Sequence, residues 1–225
     1  MAEQNFIRLR RCKRDIRYLL KKYITHDVMP VDRWFRDRGD ETLGIEYALT
    51  ADSVVFEVGG YRGAWSSKIA QLYDPHLYVF EPVSAHFQSL MTRFAHSPKI
   101  KLFDFGLGSK DEGVELALAE DGSSLFGRSD TKEHVVLRDI CSFVRENHIS
   151  AIDLIQINIE GGEYALLSRM LASDLVAKCH YIKVQFHETV PEAHLLRSEI
   201  RHELNRTHQV MYDYPFVWES WEARP

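Results

Sequence analysis

The chain has 225 residues, 45% hydrophobic and 27% charged, with 28 Lys/Arg against 33 Asp/Glu for a formal charge of −5. That composition excludes a disordered, collagenous or disulfide-built chain, and the length suits one domain with an added terminal element. The acidic balance argues against a general nucleic-acid binder, whose affinity rests on clustered positive charge.

The charge is unevenly spread. Residues 1–25 hold eight Lys/Arg and two acids, so residues 26–225 carry −11. Within that basic arm, Phe6, Leu9, Cys12, Ile16, Leu20 and Tyr23 recur at helical spacing, which predicts an amphipathic helix over residues 5–23. Such a helix either packs its stripe on the domain or docks on an anionic membrane surface or a partner protein. The periodicity stops around Pro30 and Arg38-Gly39-Asp40, and the sequence divides into an arm of residues 1–38 and a domain of residues 39–225. Three cysteines (Cys12, Cys141, Cys179) without short spacing read as reduced thiols. Neither a membrane-spanning apolar run nor a signal-peptide core is present, so a soluble, cytoplasmic protein is expected.

From residue 43 onward strands alternate with helices. Ser53–Val58, Leu77–Glu81, Ile100–Phe105, Ile152–Ile159 and Tyr181–His187 are short apolar runs of the kind buried parallel strands show. Helices are predicted over residues 63–73, 83–95, 138–148, 162–176 and 191–205. Residues 106–137 are turn-rich, with short strand candidates at 114–118 and 134–137. Gln209–Tyr214 and Phe216–Trp221 read as a closing hairpin whose aromatics are either core or a platform for stacking a sugar. The alternation implies an α/β fold, Rossmann-like, with a mostly parallel sheet flanked by helices.

In such a sheet the ligand crevice lies beyond the carboxyl ends of the strands. The junction Glu57-Val-Gly-Gly-Tyr-Arg-Gly63 carries glycines that let a ligand approach the main chain, making Gly59, Gly60, Tyr61 and Gly63 binding candidates. Its spacing differs from the dinucleotide fingerprint. The acid Glu57 would repel a phosphate yet could neutralise an ammonium or the sulfonium of S-adenosylmethionine. Twenty-four residues later, Glu81 ends the second strand, where a carboxylate suits the two ribose hydroxyls of a nucleoside. Together they favour S-adenosylmethionine over NAD. Asp104, or the backbone near Phe105–Gly106, is placed by topology alone to bracket the adenine.

These segments resemble the FkbM-type methyltransferases of the class I S-adenosylmethionine-dependent superfamily. The resemblance runs through Val54-Val-Phe-Glu-Val-Gly-Gly-Tyr-Arg-Gly, Val79-Phe-Glu-Pro, Phe105-Gly-Leu-Gly-Ser, Gly122-Ser-Ser-Leu, Ile152-Asp-Leu-Ile-Gln-Ile-Asn-Ile-Glu-Gly-Gly-Glu-Tyr and Val184-Gln-Phe-His-Glu. It covers residues 53–190 and leaves the arm and the aromatic tail outside. It implies a seven-stranded class I fold and O-methylation of a hydroxyl, often on a sugar of a polysaccharide or a natural product. Two positions depart from the family pattern: Glu57 stands where an aspartate is usual, and so does Asn158. An amide is a poor ligand for a hard cation, which argues against a metal-dependent mechanism.

Methyl transfer needs an aligned acceptor and a group to take its proton. His187 and Glu160 both close strands near the expected crevice. His187 has the more suitable ordinary pKa, near 6.5. Glu188 is a candidate to orient His187, and Asn158 to orient substrate or cofactor. Ser123 and Ser124 could hydrogen-bond an acceptor, or serve only their own turn. His194 and His202 are too far apart for a helical zinc pair, so no metal is expected. The expected partner is a small-molecule or saccharide acceptor, with no nucleic acid. Two rival readings are a nucleotide-dependent oxidoreductase and a catalytically silent cofactor-binding subunit of a biosynthetic complex.

Overall fold

The computed structural model describes residues 29–118 and 131–225. The helix expected over residues 5–23, with Cys12, and the Ser123–Ser124 turn lie outside those residues.

The sequence runs α1 (Pro30–Arg36), β1 (Val54–Val58), α2 (Ala64–Tyr73), β2 (His76–Phe80), α3 (Ser84–Arg93), β3 (Ile100–Phe103), β4 (Gly106–Gly108), β5 (Glu112–Ala117), β6 (Lys132–Asp139), α4 (Ile140–Glu146), β7 (Ile152–Ile157), α5 (Glu163–Ala172), a 3₁₀ turn (Leu175–Lys178), β8 (Cys179–Val184), α6 (Ala193–Leu204), β9 (His208–Tyr214) and β10 (Trp218–Ala223). Seven strands form one sheet in the order β3-β2-β1-β7-β8-β10-β9. β10 alone runs against its neighbours. The β-branched and aromatic runs of β1, β2, β7 and β8 suit a sheet covered on both faces.

Alternation divides each strand between two cores. Phe56, Val58, Phe80, Ile155, Ile157 and Val184 pack against α4, α5 and α6. Val55, Leu77, Val79, Leu154 and Tyr181 pack against α2, α3 and Tyr47. Burying each such side chain contributes about 1.5–3 kcal/mol. Gly63 begins α2 in a left-handed conformation (φ 74°), and a Cβ there would press on Phe94 and Leu90 of the α3 end. A smaller sheet, β4-β6-β5, is built from the turn-rich segment. Its β5 and β6 are the expected short strands, both longer than predicted. β4 is an addition, because three residues containing two glycines carry no β propensity of their own.

Several predicted elements are shorter in the structure, and two of them show a clear cause. α5 stops at Ala172 because Asp174 takes a left-handed conformation (φ 55°) and a separate 3₁₀ turn follows. β8 ends at Val184 rather than His187, because its partner β7 ends at Ile157, which accepts the last ladder bond from Gln185 N.

α1, with Pro30 in its first turn, belongs to the expected arm yet packs on the sheet. Trp34 is 1% exposed and lies against Tyr212 and Tyr214 of β9, with ring centroids 5.7 and 5.2 Å away. Of the tail aromatics, Trp221, Tyr212 and Tyr214 are buried, while Phe216 and Trp218 are half-buried. No helix among the described residues is long and apolar enough to cross a membrane.

The order reverses between β1 and β7. β2 and β3 lie on one side of β1, while the later strands lie on the other. The carboxyl ends of β1 and β7 therefore diverge into a crevice, the position such sheets reserve for ligands.

Candidate active site

A cavity of about 250 Å³ opens at that crevice. Its walls come from the turns after β1, β2 and β7, from β4, and from the small sheet. Gly59 holds φ 93°, where a Cβ would collide with the Asn158 carbonyl, so only glycine lets the two turns meet. The N–H groups of Gly59 and Gly60 both donate to Phe80 O, at 3.0 and 3.1 Å, which pins the turn to β2. Tyr61 follows at φ 47°, unusual for a side chain of its size. It lines the cavity, and its ring meets His86 edge-on at 4.5 Å.

Glu81 lines the cavity directly beyond β2. Its two oxygens are aimed by the backbone: Tyr61 N donates to Oε2 at 2.7 Å and Val83 N to Oε1 at 2.9 Å. Burial pushes the carboxyl up to about 7, and those two hydrogen bonds pull against the shift. A carboxylate so fixed keeps lone pairs free for two hydroxyls.

Glu57 behaves differently from its expected role as a direct ligand. It is buried under the glycine turn, where it accepts from Ser66 Oγ and from Gln156 Nε2, and it does not line the cavity. Burial raises its pKa, while the Ser66 hydrogen bond and the charge of Lys183 favour the carboxylate. Gly60 and Gly63 likewise shape the turn from behind. Asp104 is exposed and lies outside the cavity; Gly106, Leu107, Gly108 and Ser109 of the next segment form the wall instead.

After β7 the chain turns sharply, with Glu160 at φ 47° and Gly161 at φ 108°. Asn158, Ile159, Glu160 and Gly162 all line the cavity. Asn158 Oδ1 is buried with no hydrogen-bond partner among the described residues, an unusual state that a bound donor would relieve. Behind Glu160 stands His187, 11% exposed in its side chain, with Nε2 3.3 Å from Glu160 Oε1 and Nδ1 3.2 Å from Glu163 Oε1. Burial disfavours the imidazolium, but the hydrogen bonds and charges of the two glutamates outweigh it and push His187 up to about 9. The expectation that His187 would sit poised near neutrality is thus replaced by a histidine held as a cation. Glu188 does not orient it: Glu188 pairs with His194 at 3.1 Å. The orienting residue is Glu163, fully buried, which also accepts from Gly161 N and His187 N, each at 2.8 Å.

Glu163, His86 and Glu112 belong to the site or its support without standing in any motif that marks them as such. Glu163 had a readable signal, a second acid three residues after Glu160 in one turn. His86 and Glu112 reach the cavity only through tertiary packing of α3 and β5. No cluster of three or more His, Cys, Asp or Glu able to hold a metal occurs among the described residues.

The arrangement fits a nucleoside cofactor that also carries donors: Glu81 for ribose hydroxyls, the glycine turn for close backbone approach, and the unpartnered Asn158 oxygen for an N–H or O–H. No curated protein is similar in sequence. Among solved structures, an rRNA methylase from Streptococcus thermophilus is 11% identical with a TM-score of 0.51, covering 84% of this chain and 95% of its own. A Streptococcus mutans protein assigned as a methyltransferase, in complex with S-adenosylhomocysteine, is 8% identical with a TM-score of 0.51, covering 88% and 99%. At such identities the likeness shows the fold, a Rossmann-like methyltransferase sheet. The family model described as "Methyltransferase FkbM domain" matches residues 57–214, taking in the glycine turn, Glu81, Glu160 and His187. The chain therefore belongs to the FkbM methyltransferase family, whose cofactor is S-adenosylmethionine.

Proposed function

We propose that the protein is an O-methyltransferase that acts on a saccharide hydroxyl, of a polysaccharide or a glycosylated natural product, with Glu160 as the group that takes the hydroxyl proton. The observation that carries this reading is the setting of Glu160. It lines the cavity at the end of β7, in a left-handed conformation, with its carboxylate fixed from behind by a charged His187. Backbone strain at such a position is a mark of function. A neutral amine can attack without losing a proton first, whereas a hydroxyl needs an acceptor for its proton, and a carboxylate held in place meets that need.

S-adenosylmethionine supplies the electrophilic methyl carbon. Glu81 would hold its ribose. Asn158 would accept a hydrogen bond from the cofactor's ammonium or from the acceptor hydroxyl. Glu160 receives the proton, and His187 keeps its carboxylate oriented.

The walls support a neutral, hydroxyl-rich acceptor. They include the acids Glu81, Glu112 and Glu160, with no Lys or Arg among the described residues that line the cavity. A polyanionic acceptor such as the RNA of the Streptococcus thermophilus methylase would meet repulsion there. The test is incubation with methyl-labelled S-adenosylmethionine and sugar-containing and RNA fractions. Label in an alkali-stable sugar ether supports the reading; label in RNA alone contradicts it.

A further inference from the structure

On the sheet face covered by α2 and residues 40–47, five polar side chains form one continuous row, one from each of five neighbouring strands. Glu57 on β1 is in register with Gln156 on β7, Gln156 with Lys183 on β8, Lys183 with Ser220 on β10, and Ser220 with Tyr212 on β9. All five are buried. Strands in a sheet covered on both faces are ordinarily apolar there. A buried ion pair is commonly no more stabilising than well-packed apolar residues of the same volume. Stability alone does not account for the row.

Its hydrogen bonds have a direction. Lys183 Nζ donates to Gln156 Oε1 at 2.6 Å, and Gln156 Nε2 donates to Glu57 Oε1 at 3.3 Å. The other Glu57 oxygen accepts from Ser66. Lys183 is held at its own end by the Gly44 carbonyl, 3.1 Å away, and by the Trp218 ring, whose centroid is 4.0 Å from Nζ. Burial drives both ends toward neutrality, raising Glu57 and lowering Lys183, and the opposite charge of each opposes the change in the other. Without Lys183, Glu57 would lose the positive charge that helps keep it ionised.

Glu57 lies two residues before Gly59, which lines the cavity, while Glu57 itself does not. In the ionised form that Ser66 and Lys183 favour, its charge therefore acts on a bound ligand across the glycine turn, as a field rather than a contact. In a water-excluded interior such a field is weakly screened.

We propose that Lys183, acting through Gln156 on Glu57, is a positioning residue that sets the preference of the site for the sulfonium of S-adenosylmethionine over the neutral thioether of S-adenosylhomocysteine. The row presents the negative end of a buried dipole to the glycine turn. Loss of the methyl group removes the ligand's sulfonium charge, so the same device holds the substrate form of the cofactor and releases the product form. This inference rests on the cofactor and is independent of the acceptor.

The test is calorimetric binding of S-adenosylmethionine and, separately, S-adenosylhomocysteine to the full chain and to Lys183→Met and Gln156→Met. The expected result is that each variant weakens S-adenosylmethionine about tenfold while S-adenosylhomocysteine stays within about twofold. Equal loss for the two ligands, or no change in either, would overturn the proposal, since a merely structural role moves both alike. If Lys183→Met binds neither ligand, Gln156→Met, which conserves volume and leaves Lys183 its Gly44 acceptor, decides by the same ratio.

Discussion

His187 Nε2 lies 3.3 Å from Glu160 Oε1, joining the end of β8 to the strained turn after β7. With Glu163 on its other nitrogen, the ring is enclosed by two carboxylates and pushed up to about 9. A histidine so placed orients its neighbour and is a poor proton acceptor at neutral pH.

The sign of the resulting pH dependence follows from linkage. The folded pKa of His187 is raised above its ordinary 6.5, so its stabilisation is complete below about pH 6.5 and is lost as pH rises through about 9. The stability difference between the native chain and His187→Gln should shrink across that window. Nitrogen-15 NMR of the ring should titrate near pH 9; a midpoint near 6.5 would mean the two glutamates do not charge it.

Glu81→Ala should weaken S-adenosylmethionine on the order of a hundredfold, because charge-assisted hydrogen bonds contribute about 1.5–3 kcal/mol each. Calorimetry checks this, with circular dichroism to confirm the fold. Unchanged affinity would remove Glu81 from the cofactor site.

Gly59→Ala should lower stability and impair cofactor binding together. A side chain at φ 93° costs about 1–3 kcal/mol, and its Cβ would also push Asn158 away. Thermal unfolding and calorimetry on the same sample measure both. A variant with native affinity would show that the turn after β1 need not touch the turn after β7.

Much of this was legible before folding was considered. β1, β2, β7 and β8 announce themselves because buried parallel strands are short apolar runs with no competing helical period. Glu81 and Glu160 were legible because each follows such a run. The placement of Asp104 failed because β3 ends at Phe103, so the chain leaves the sheet before reaching it and enters the cavity only at Gly106. The state of His187 was also hidden. Its charge depends on a carboxylate 24 residues away in sequence, brought to hydrogen-bond distance by the pairing of β7 with β8. Glu57 reads as a ligand from its motif, yet strand alternation turns it to the face opposite Phe56 and Val58, toward Ser66 and Gln156.

The described end of the arm should prove part of the folded body. Trp34 fills a site against Tyr212 and Tyr214, and its indole N–H donates to Asp40 at 3.0 Å. Trp34→Ala should cost about 3–5 kcal/mol in chemical unfolding. A loss under about 1 kcal/mol would make α1 an appendage.

The most direct test of the account is turnover by Glu160→Gln, measured with methyl-labelled S-adenosylmethionine on the saccharide fraction the native protein labels, alongside cofactor affinity by calorimetry. Glutamine keeps the shape of the turn and cannot take the proton. The expected result is a loss of turnover of about a hundredfold or more with cofactor affinity within about threefold of native. Near-native turnover would contradict it, and the proton acceptor would have to be sought elsewhere on the cavity wall.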